Sequence, residues 1–446
     1  MMKIFTNQKL YILPNTTIVL MMRAYKFRIY PTNEQQEFLS RCFGASRYVW
    51  NWALRLIKDN YNHVEIMRCG WGGNIDTMNY EDALTMKFHG CKDKSRDTYY
   101  MLDVTKCSLL LTSVYKRKAN SLPTTLQNEP GLSDINPWLN DVPNKILRYS
   151  LRNLGVAFKN FFKTNKNGGH SGYPANKKLR DNQSIQFQGE DVNLDSRTGL
   201  LSVTKIKNIE IRLHRSFTGK IKTTTISKTK SGKYYVSFQV DDGLELPLTK
   251  PISMYKVLGV DVGLNSYIAT SNGEKIDGLK PLRESEKRLV VVQKRFSRKQ
   301  KGSKNSGKAR IRLARIHEKI ANQRLDFQHK LSHQLINDND AIVLESLNIT
   351  GMLKNHCLAK SISDAAWSEF MRQLKYKAAW AGKTVVEIGQ WEPSSKTCHS
   401  CGYKLDELPL DVREWTCPRC NTKHDRDINA AKNIKAFGMQ TLSLSQ

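Results

Sequence analysis

The stretch Lys256-Val-Leu-Gly-Val-Asp-Val-Gly-Leu264 decides the reading of this 446-residue chain. Val257 to Val262 is a short apolar run that predicts a strand. It delivers one carboxylate, Asp261, to its own C-terminal end. Gly259 and Gly263 carry no side chain, so a ligand or another backbone can approach the strand closely. Ser266-Tyr-Ile-Ala-Thr-Ser271 is rich in β-forming residues and Asn272-Gly273 marks a turn after it, which predicts a hairpin with an acid at its centre. A second acid closes another apolar strand, Ala341-Ile-Val-Leu-Glu345. A third lies in His424-Asp-Arg-Asp427, just before a helical run from Ile428 to Phe437.

Asp261, Glu345 and Asp427 follow one another at intervals of 84 and 82 residues, each at a strand end or loop of an α/β pattern. Carboxylates gathered this way repel unless cations sit among them. Two Mg²⁺ ions about 3.5–4 Å apart remove the repulsion; one activates water for attack on phosphorus and the other stabilises the leaving oxygen. Either Asp425 or Asp427 can supply the third ligand. Asp427 stands at the helix entrance and can turn inward, whereas Asp425 suits a loop-stabilising role. The strongest local signal is Cys398-His-Ser-Cys401 with Cys417-Pro-Arg-Cys420, a C-x2-C-x15-C-x2-C pattern. Four thiolates in two knuckles match a closed, structural zinc site with one ion and no open position. His399, inside the first knuckle, is not needed as a ligand. Lys396, Lys404, Arg413, Arg419 and Lys423 around the knuckles suit contact with nucleic acid.

The chain is strongly basic, with 71 Lys and Arg against 41 Asp and Glu and a net charge of +30. A polyanion is the expected partner, and nucleic acid the commonest one. The charge is concentrated. Lys294 to Arg315 holds ten Lys and Arg and no acid, among them Lys294, Arg295, Arg298, Lys299, Lys301, Lys304, Lys308 and Arg310. This run reads as two helical arms around a loop rich in Gly and Ser, poised for phosphate contact. Besides the four paired cysteines, five are scattered (Cys42, Cys69, Cys91, Cys107 and Cys357), which argues for a reducing cytosol over a disulfide framework. No apolar run reaches 18 residues, so no membrane span or membrane partner is expected. Residues 1–21 make a poor signal peptide, broken by Pro14-Asn-Thr-Thr17. They read as a non-core extension ahead of a start at Met21 or Met22.

Arg23 to Tyr30 alternates, with Tyr25, Phe27 and Ile29 on one face and Lys26 and Arg28 on a basic outer face. Thr32 and Gln35 form a capping-box pattern for the helix that follows. Residues 62–130 show little periodicity and read as an insertion without metal, despite His89 and Cys91. Asn144 to Lys163 predicts a helix with Leu147, Leu151, Leu154, Phe158, Phe161 and Phe162 as its apolar stripe, and Gly168 to Pro174 a loop. Residues 184–240 read as all-β, with strands at Ser184–Gln188, Ile209–Leu213, Gly219–Ser227 and Lys233–Val240 and a turn at Ser231-Gly232. The early strand pairs here, which makes the helical segment an insertion into a small β-barrel. Two prolines mark a linker at 245–252, and a further helix is predicted over Ser363–Trp380.

Taken together, several stretches resemble the TnpB family, the RNA-guided nucleases of insertion-sequence transposons that are related to type V CRISPR effectors. They are Arg23-Ala-Tyr-Lys-Phe-Arg-Ile-Tyr-Pro31, Gly44-Ala-Ser-Arg-Tyr-Val-Trp-Asn-Trp-Ala53, Val257 to Leu264, Ile342-Val-Leu-Glu-Ser-Leu-Asn348, Pro393-Ser-Ser-Lys-Thr-Cys398 and His424 to Ile434. The resemblance covers about residues 22–440, apart from 62–130. It implies a multidomain α+β protein. A wedge-type β-barrel (22–31 and 184–245) carries a helical recognition domain (32–183). A RuvC-like, RNase H-type nuclease domain (253–391 and 425–446) carries a zinc-binding target-nucleic-acid module (392–424). It implies Asp261, Glu345 and Asp427 as Mg²⁺-binding catalytic acids and the four cysteines as zinc ligands. The implied partners are a guide RNA from the chain's own locus and double-stranded DNA beside a short motif. In such systems base pairing reads sequence while protein reads shape and the adjacent motif. The cytoplasm is the expected location, at the nucleoid in a prokaryote.

The expected activity is thus RNA-guided, Mg²⁺-dependent DNA cleavage. One rival is a guided DNA binder that represses without cutting; inactivated relatives typically lose an acid, and all three stand here. Another is a strand-transfer transposase, but such enzymes more often order their acids Asp–Asp–Glu. A purely structural zinc protein leaves the acids and the basic arm unexplained.

Overall fold

The computed structural model describes residues 9–10, 20–68, 136–162, 172–389, 392–409 and 411–443. Most of the 62–130 insertion, including His89 and Cys91, and the loop residues 168–171 lie outside them. The chain divides into two compact units, residues 22–243 and residues 1–21 with 244–446.

The chain's described course opens with β1 (Lys9–Leu10). The 22–243 unit contains β2 (Leu20–Tyr30), α1 (Asn33–Arg68), α2 (Asn144–Phe162), β3 (Gln183–Gln188), β4 (Val192–Asp195), β5 (Leu200–Val203), β6 (Ile206–Arg212), β7 (Lys220–Lys228) and β8 (Tyr234–Glu245). Its seven strands run in the order β3-β7-β8-β2-β6-β5-β4, so the early strand does enter this sheet, with Ile29 opposite Ile211. The capping box forms as its spacing predicts: the Thr32 N–H donates to Gln35 Oε1 at 2.9 Å and the Gln35 N–H to Thr32 Oγ1 at 3.4 Å. Phe27 and Ile29 of β2 share one core with Leu39 and Val49 of α1, Leu147, Leu151, Leu154 and Phe158 of α2, and Val236 and Phe238 of β8.

The second unit contains β9 (Val257–Val262), β10 (Ile268–Thr270), β11 (Lys275–Ile276), α3 (Pro281–Ser297), α4 (Lys304–Asp338), β12 (Ala341–Glu345), α5 (Ile349–Met352), α6 (Ala359–Ala365), α7 (Trp367–Ala381), β13 (Thr384–Ile388), β14 (Glu414–Thr416), β15 (Lys423–Asp425) and α8 (Arg426–Ser443). One sheet runs β1-β13-β12-β9-β10-β11. Its β9, β10 and β11 form an antiparallel meander, while β12 lies parallel to both β9 and β13. Alternation along the strands sorts side chains into two layers. Leu258, Val260, Ile342 and Leu344 pack with α4 and α7, whereas Val257, Ala341 and Val343 pack against Ile434 of α8.

Three local expectations are corrected. Lys9–Leu10, within the stretch read as non-core, pairs with Val386 and Glu387 at the sheet edge. The helix predicted over 363–380 is two helices, broken at Ala366, whose φ is +52°. There the buried Gln328 amide donates to the carbonyls of Ala365 (3.1 Å) and Ala366 (3.0 Å). A left-handed alanine costs about 1–2 kcal/mol, which satisfying a buried amide offsets. The loop rich in Gly and Ser between the basic arms is shorter than expected: α4 starts at Lys304, with Ser303 Oγ accepting from the Ser306 N–H as its cap, and runs through Ser306 and Gly307.

Gly259 explains how α8 lies so close to the sheet. A Cβ built there falls 2.2 Å from the Ala431 carbonyl oxygen and 2.7 Å from the Lys435 nitrogen. Both are backbone atoms of the helix and cannot swing aside. Gly259→Ala is therefore expected to destabilise the protein by about 3 kcal/mol, read as a lowered midpoint in urea unfolding. A shift under about 0.5 kcal/mol, typical of an uncrowded surface site, contradicts this packing.

Candidate functional site

Strand register brings two of the predicted acids side by side. β12 pairs with β9 so that Leu344 stands beside Val260, and the next residues in the parallel ladder are Glu345 and Asp261. Alternation turns Asp261 to the face of Val257 and Gly259, and Glu345 to the face of Ala341 and Val343, the face that α8 covers. The third acid reaches the same level by arithmetic. Ala431 sits over Gly259. Asp427 is four residues back along the helix, a rise of about 6 Å, and Asp261 is two residues on along the strand, about 6.6 Å.

The three charges act on one another. Burial, then the neighbouring Glu345 and Asp427, push the Asp261 carboxyl from its ordinary 3.8 up to about 8, with Arg426 opposing. Burial alone pushes Glu345 from 4.5 up to about 7. A site that resists ionising its own carboxylates near neutral pH fits a group that brings positive charge, and all-oxygen donors suit Mg²⁺ or Mn²⁺. The folded state holds the Asp261 proton that the unfolded chain has released above pH 3.8, so stability falls as pH rises from about 4 toward 8. A divalent cation reverses this by favouring the ionised form. Millimolar Mg²⁺ is expected to raise Tm more at pH 8 than at pH 6, and Asp261→Asn to shrink the difference to the part that Glu345 contributes, in chelator-free thermal unfolding. Equal Mg²⁺ shifts at both pH values count against the site.

Cations on the chain also reach the third acid. Lys275 Nζ lies 2.6 Å from Asp425 Oδ2 and 3.4 Å from Asp427 Oδ2. Arg413 Nη1 lies 3.5 Å from Asp427 Oδ1. With the Asn265 amide turned to satisfy both its atoms, its oxygen accepts from Arg413 Nη2 and Nε at 3.1 Å each. Asp425 caps α8: its Oδ1 accepts from the N–H groups of Asp427 and Ile428. Burial disfavours the ionised Asp425, yet Lys275 and these amides hold its carboxyl below the usual range.

The four cysteines converge as their spacing predicts, with all Sγ atoms within 4.8 Å of one another. The closest approaches are Cys398 to Cys420 at 3.6 Å and Cys401 to Cys417 at 3.5 Å. A tetrahedral zinc with bonds of about 2.3 Å sets its sulfurs about 3.8 Å apart, so the set fits the ion. Gly402 (φ +74°) and Asn421 (φ +55°) follow the second cysteine of each knuckle and turn the chain there. His424, buried and 4.7 Å from the Trp415 ring, places Nε2 3.0 Å from Cys398 Sγ. Asn429 and Asn433, one turn apart on α8, tie down the first knuckle. Asn429 Nδ2 donates to the Thr397 carbonyl and Asn433 Nδ2 to those of Ser394 and Thr397.

Of the cations expected to meet nucleic acid around the knuckles, three are engaged within the protein. Lys396 donates to the Asp406 carbonyl, Lys423 pairs with Glu414, and Arg413 points into the acid site. The eight arm residues from Lys294 to Arg310 named above are exposed at the facing ends of α3 and α4 and in the loop between them, and none forms an ion pair among the described residues. Lys26 Nζ sits 4.6 Å over the Tyr235 ring, and the Arg28 guanidinium lies against Tyr30 and Tyr235 at 5.3 and 5.2 Å. Sequence reasoning missed Lys275, Asn265 and His424. The hairpin turn at Asn272-Gly273 was the one local signal for Lys275, because it fixes which residue crosses from Asp261.

Comparison with known proteins adds three family matches: "Cas12f1-like, TNB domain" over residues 367–434, "Probable transposase" over 236–356, and "Helix-turn-helix domain" over 21–65. A Streptomyces pristinaespiralis protein named "Putative RNA-guided DNA endonuclease" is 35% identical over 420 residues, 94% of this chain and 89% of its own. InsQ of Escherichia coli K12, named likewise, is 30% identical over 324 residues, 69% of this chain and 78% of its own. The mimivirus "TnpB-like protein L770" is 23% identical over 439 residues, 95% of this chain and 74% of its own.

Proposed function

The chain belongs to the TnpB family, and on that premise we propose that it is an RNA-guided DNA endonuclease with Asp261, Glu345 and Asp427 as its catalytic acids. The observation that carries this reading is their convergence on one face of the sheet, at the ends of two parallel strands and one helix. The strand order supports a RuvC-like, RNase H-type domain, since a three-strand meander continues from its first strand into two parallel strands. On the same reading the 22–31 and 184–245 sheet is the wedge barrel, 32–183 the recognition domain, and 392–424 the zinc module that binds target nucleic acid.

Two Mg²⁺ ions would be held by the three acids and would supply an activated water and charge neutralisation at the leaving oxygen. The chain's own residues then have separable tasks. Asp427 is oriented by Arg413, and Lys275 holds the neighbouring Asp425. The zinc knuckles fix the start of α8, and so fix Asp427, through Asn429 and Asn433. The exposed cations from Lys294 to Arg310, with Lys26 and Arg28, take backbone phosphates of the guide RNA and the target DNA. Support comes from the exposure of the arm cations, none of which has an ion-pair partner among the described residues. A cytoplasmic or nucleoid location goes with such a substrate. No described helix is long and apolar enough to cross a membrane.

The test is cleavage of a plasmid library with randomised bases beside a fixed target, by protein co-purified with RNA from its own locus, with and without Mg²⁺. Mg²⁺-dependent loss of one subset of plasmids supports the endonuclease and gives its adjacent motif. RNA-dependent binding without cutting replaces it with a guided repressor, and a strand-transfer product with a transposase.

A further inference from the structure

Asp425 and Asp427 stand two residues apart at the start of α8, and both are within reach of the same lysine. Their surroundings differ. Both oxygens of Asp425 are engaged: Oδ1 accepts the N–H of Asp427 at 3.1 Å and of Ile428 at 3.0 Å, and Oδ2 accepts from Lys275 Nζ at 2.6 Å. Asp427 has only longer contacts, 3.4 Å from Lys275 and 3.5 Å from Arg413. Lys275 reaches this place by sheet register. Asp261 pairs with Ala269, and Ala269 pairs with Lys275, so the three form one row across β9, β10 and β11. Residues paired across antiparallel strands share a face, so Lys275 projects on the face that carries Asp261.

We propose that Lys275 selects the third metal ligand, engaging Asp425 and thereby leaving Asp427 as the carboxylate free to join Asp261 and Glu345. The proposal rests on the nuclease reading for the role of Asp427. The charge arithmetic favours it. Lys275 and Asp425 form a neutral pair, so a bound cation meets three negative charges, Asp261, Glu345 and Asp427. Without Lys275 it meets a fourth beside the third. Asp425 is held at the helix cap by two backbone amides, and an ion drawn toward it moves away from the Asp261 row. Arg426 and Arg413, the other cations packed here, do not substitute. Arg426 Nη1 is spent on the carbonyls of Pro409 and Val412, and Arg413 contacts Asp427.

The experiment measures Mn²⁺ binding to the full-length protein by calorimetry, with zinc content checked, and needs neither RNA nor DNA. Lys275→Gln is expected to tighten Mn²⁺ binding by about tenfold, since the ion then meets the unpaired Asp425 carboxylate beside the other three. Lys275→Arg keeps the cation and the parent's affinity. Lys275→Gln combined with Asp425→Asn removes the rival charge together with its lysine, and asparagine still caps the helix. This double variant is expected to recover the parent's affinity. Parent-like binding by Lys275→Gln overturns the proposal. So does a double variant that binds as tightly as Lys275→Gln, since Lys275 then acts on Asp427 or on the fold itself. A protein that shows the expected pattern but leaves matched DNA intact overturns the nuclease reading and keeps the selection.

Discussion

Asp261→Asn is expected to lower Mg²⁺-dependent cleavage of a matched target by on the order of 10³-fold or more, as loss of a group that acts within a catalytic unit does, while leaving guide RNA bound. The amide has the shape of the carboxylate but cannot ionise, so it removes one negative charge from the cluster that Glu345 and Asp427 complete. The same change removes the charge that burial and two neighbouring acids oppose in the folded state. Asp261→Asn is therefore also expected to melt higher than the parent at pH 8 without divalent ions. A protein that is more stable and inactive is the mark of a site kept at a cost in stability. Cleavage within about tenfold of the parent removes Asp261 from the chemistry. A lower melting point contradicts the electrostatic account.

The second large effect concerns zinc. Cys417→Ser is expected to release the ion and to reduce cleavage by about 100-fold, with metal analysis and cleavage measured on one preparation. The knuckle region cannot hold itself. Its core is Cys398, Trp415 and Cys417, with Leu405, Leu408 and Val412 partly covering it, too little apolar surface to order about 30 residues without a staple. What it positions is specific. The Arg426 N–H donates to the Arg413 carbonyl, and Arg413 bridges Asn265 and Asp427. Loosening the knuckles thus releases Arg413 and the start of α8 together. Full cleavage by a zinc-free variant shows that the acid site stands without the module. Retained guide RNA separates a local loss from general unfolding.

The acid-bearing strands were legible because their information is local. Val257 to Val262 and Ala341 to Glu345 are apolar runs ending in a carboxylate, and Gly259 announced a close backbone, which proved to be α8. The four-cysteine cluster was legible from spacing, since two C-x2-C pairs leave few other geometries. Strands β4 and β5, four residues each, were missed because so short a run carries too little periodicity to stand out. The break at Ala366 was hidden because its cause, Gln328, lies 38 residues away. Lys275 and Arg413 were illegible as site residues for a related reason. One reads as a charge after a turn and the other as a charge near a knuckle, until sheet register and the knuckles bring both to Asp427. Pairing over 152 residues, as between Lys275 and Asp427, leaves no trace in local pattern.

The parallel pairing of β9 and β12 beneath α8 also sets an order in time. A ribosome releases Asp261 first, Glu345 after 345 − 261 = 84 residues and Asp427 after a further 427 − 345 = 82. At about 5–20 residues per second the two strand acids wait roughly 4–16 s for the helix that covers them. Throughout that interval the nascent chain already displays its early basic strand, including Lys26 and Arg28, yet lacks a complete acid cluster. On the proposed reading, an RNA that meets the early basic strand meets a half-made protein whose acid cluster is assembled last.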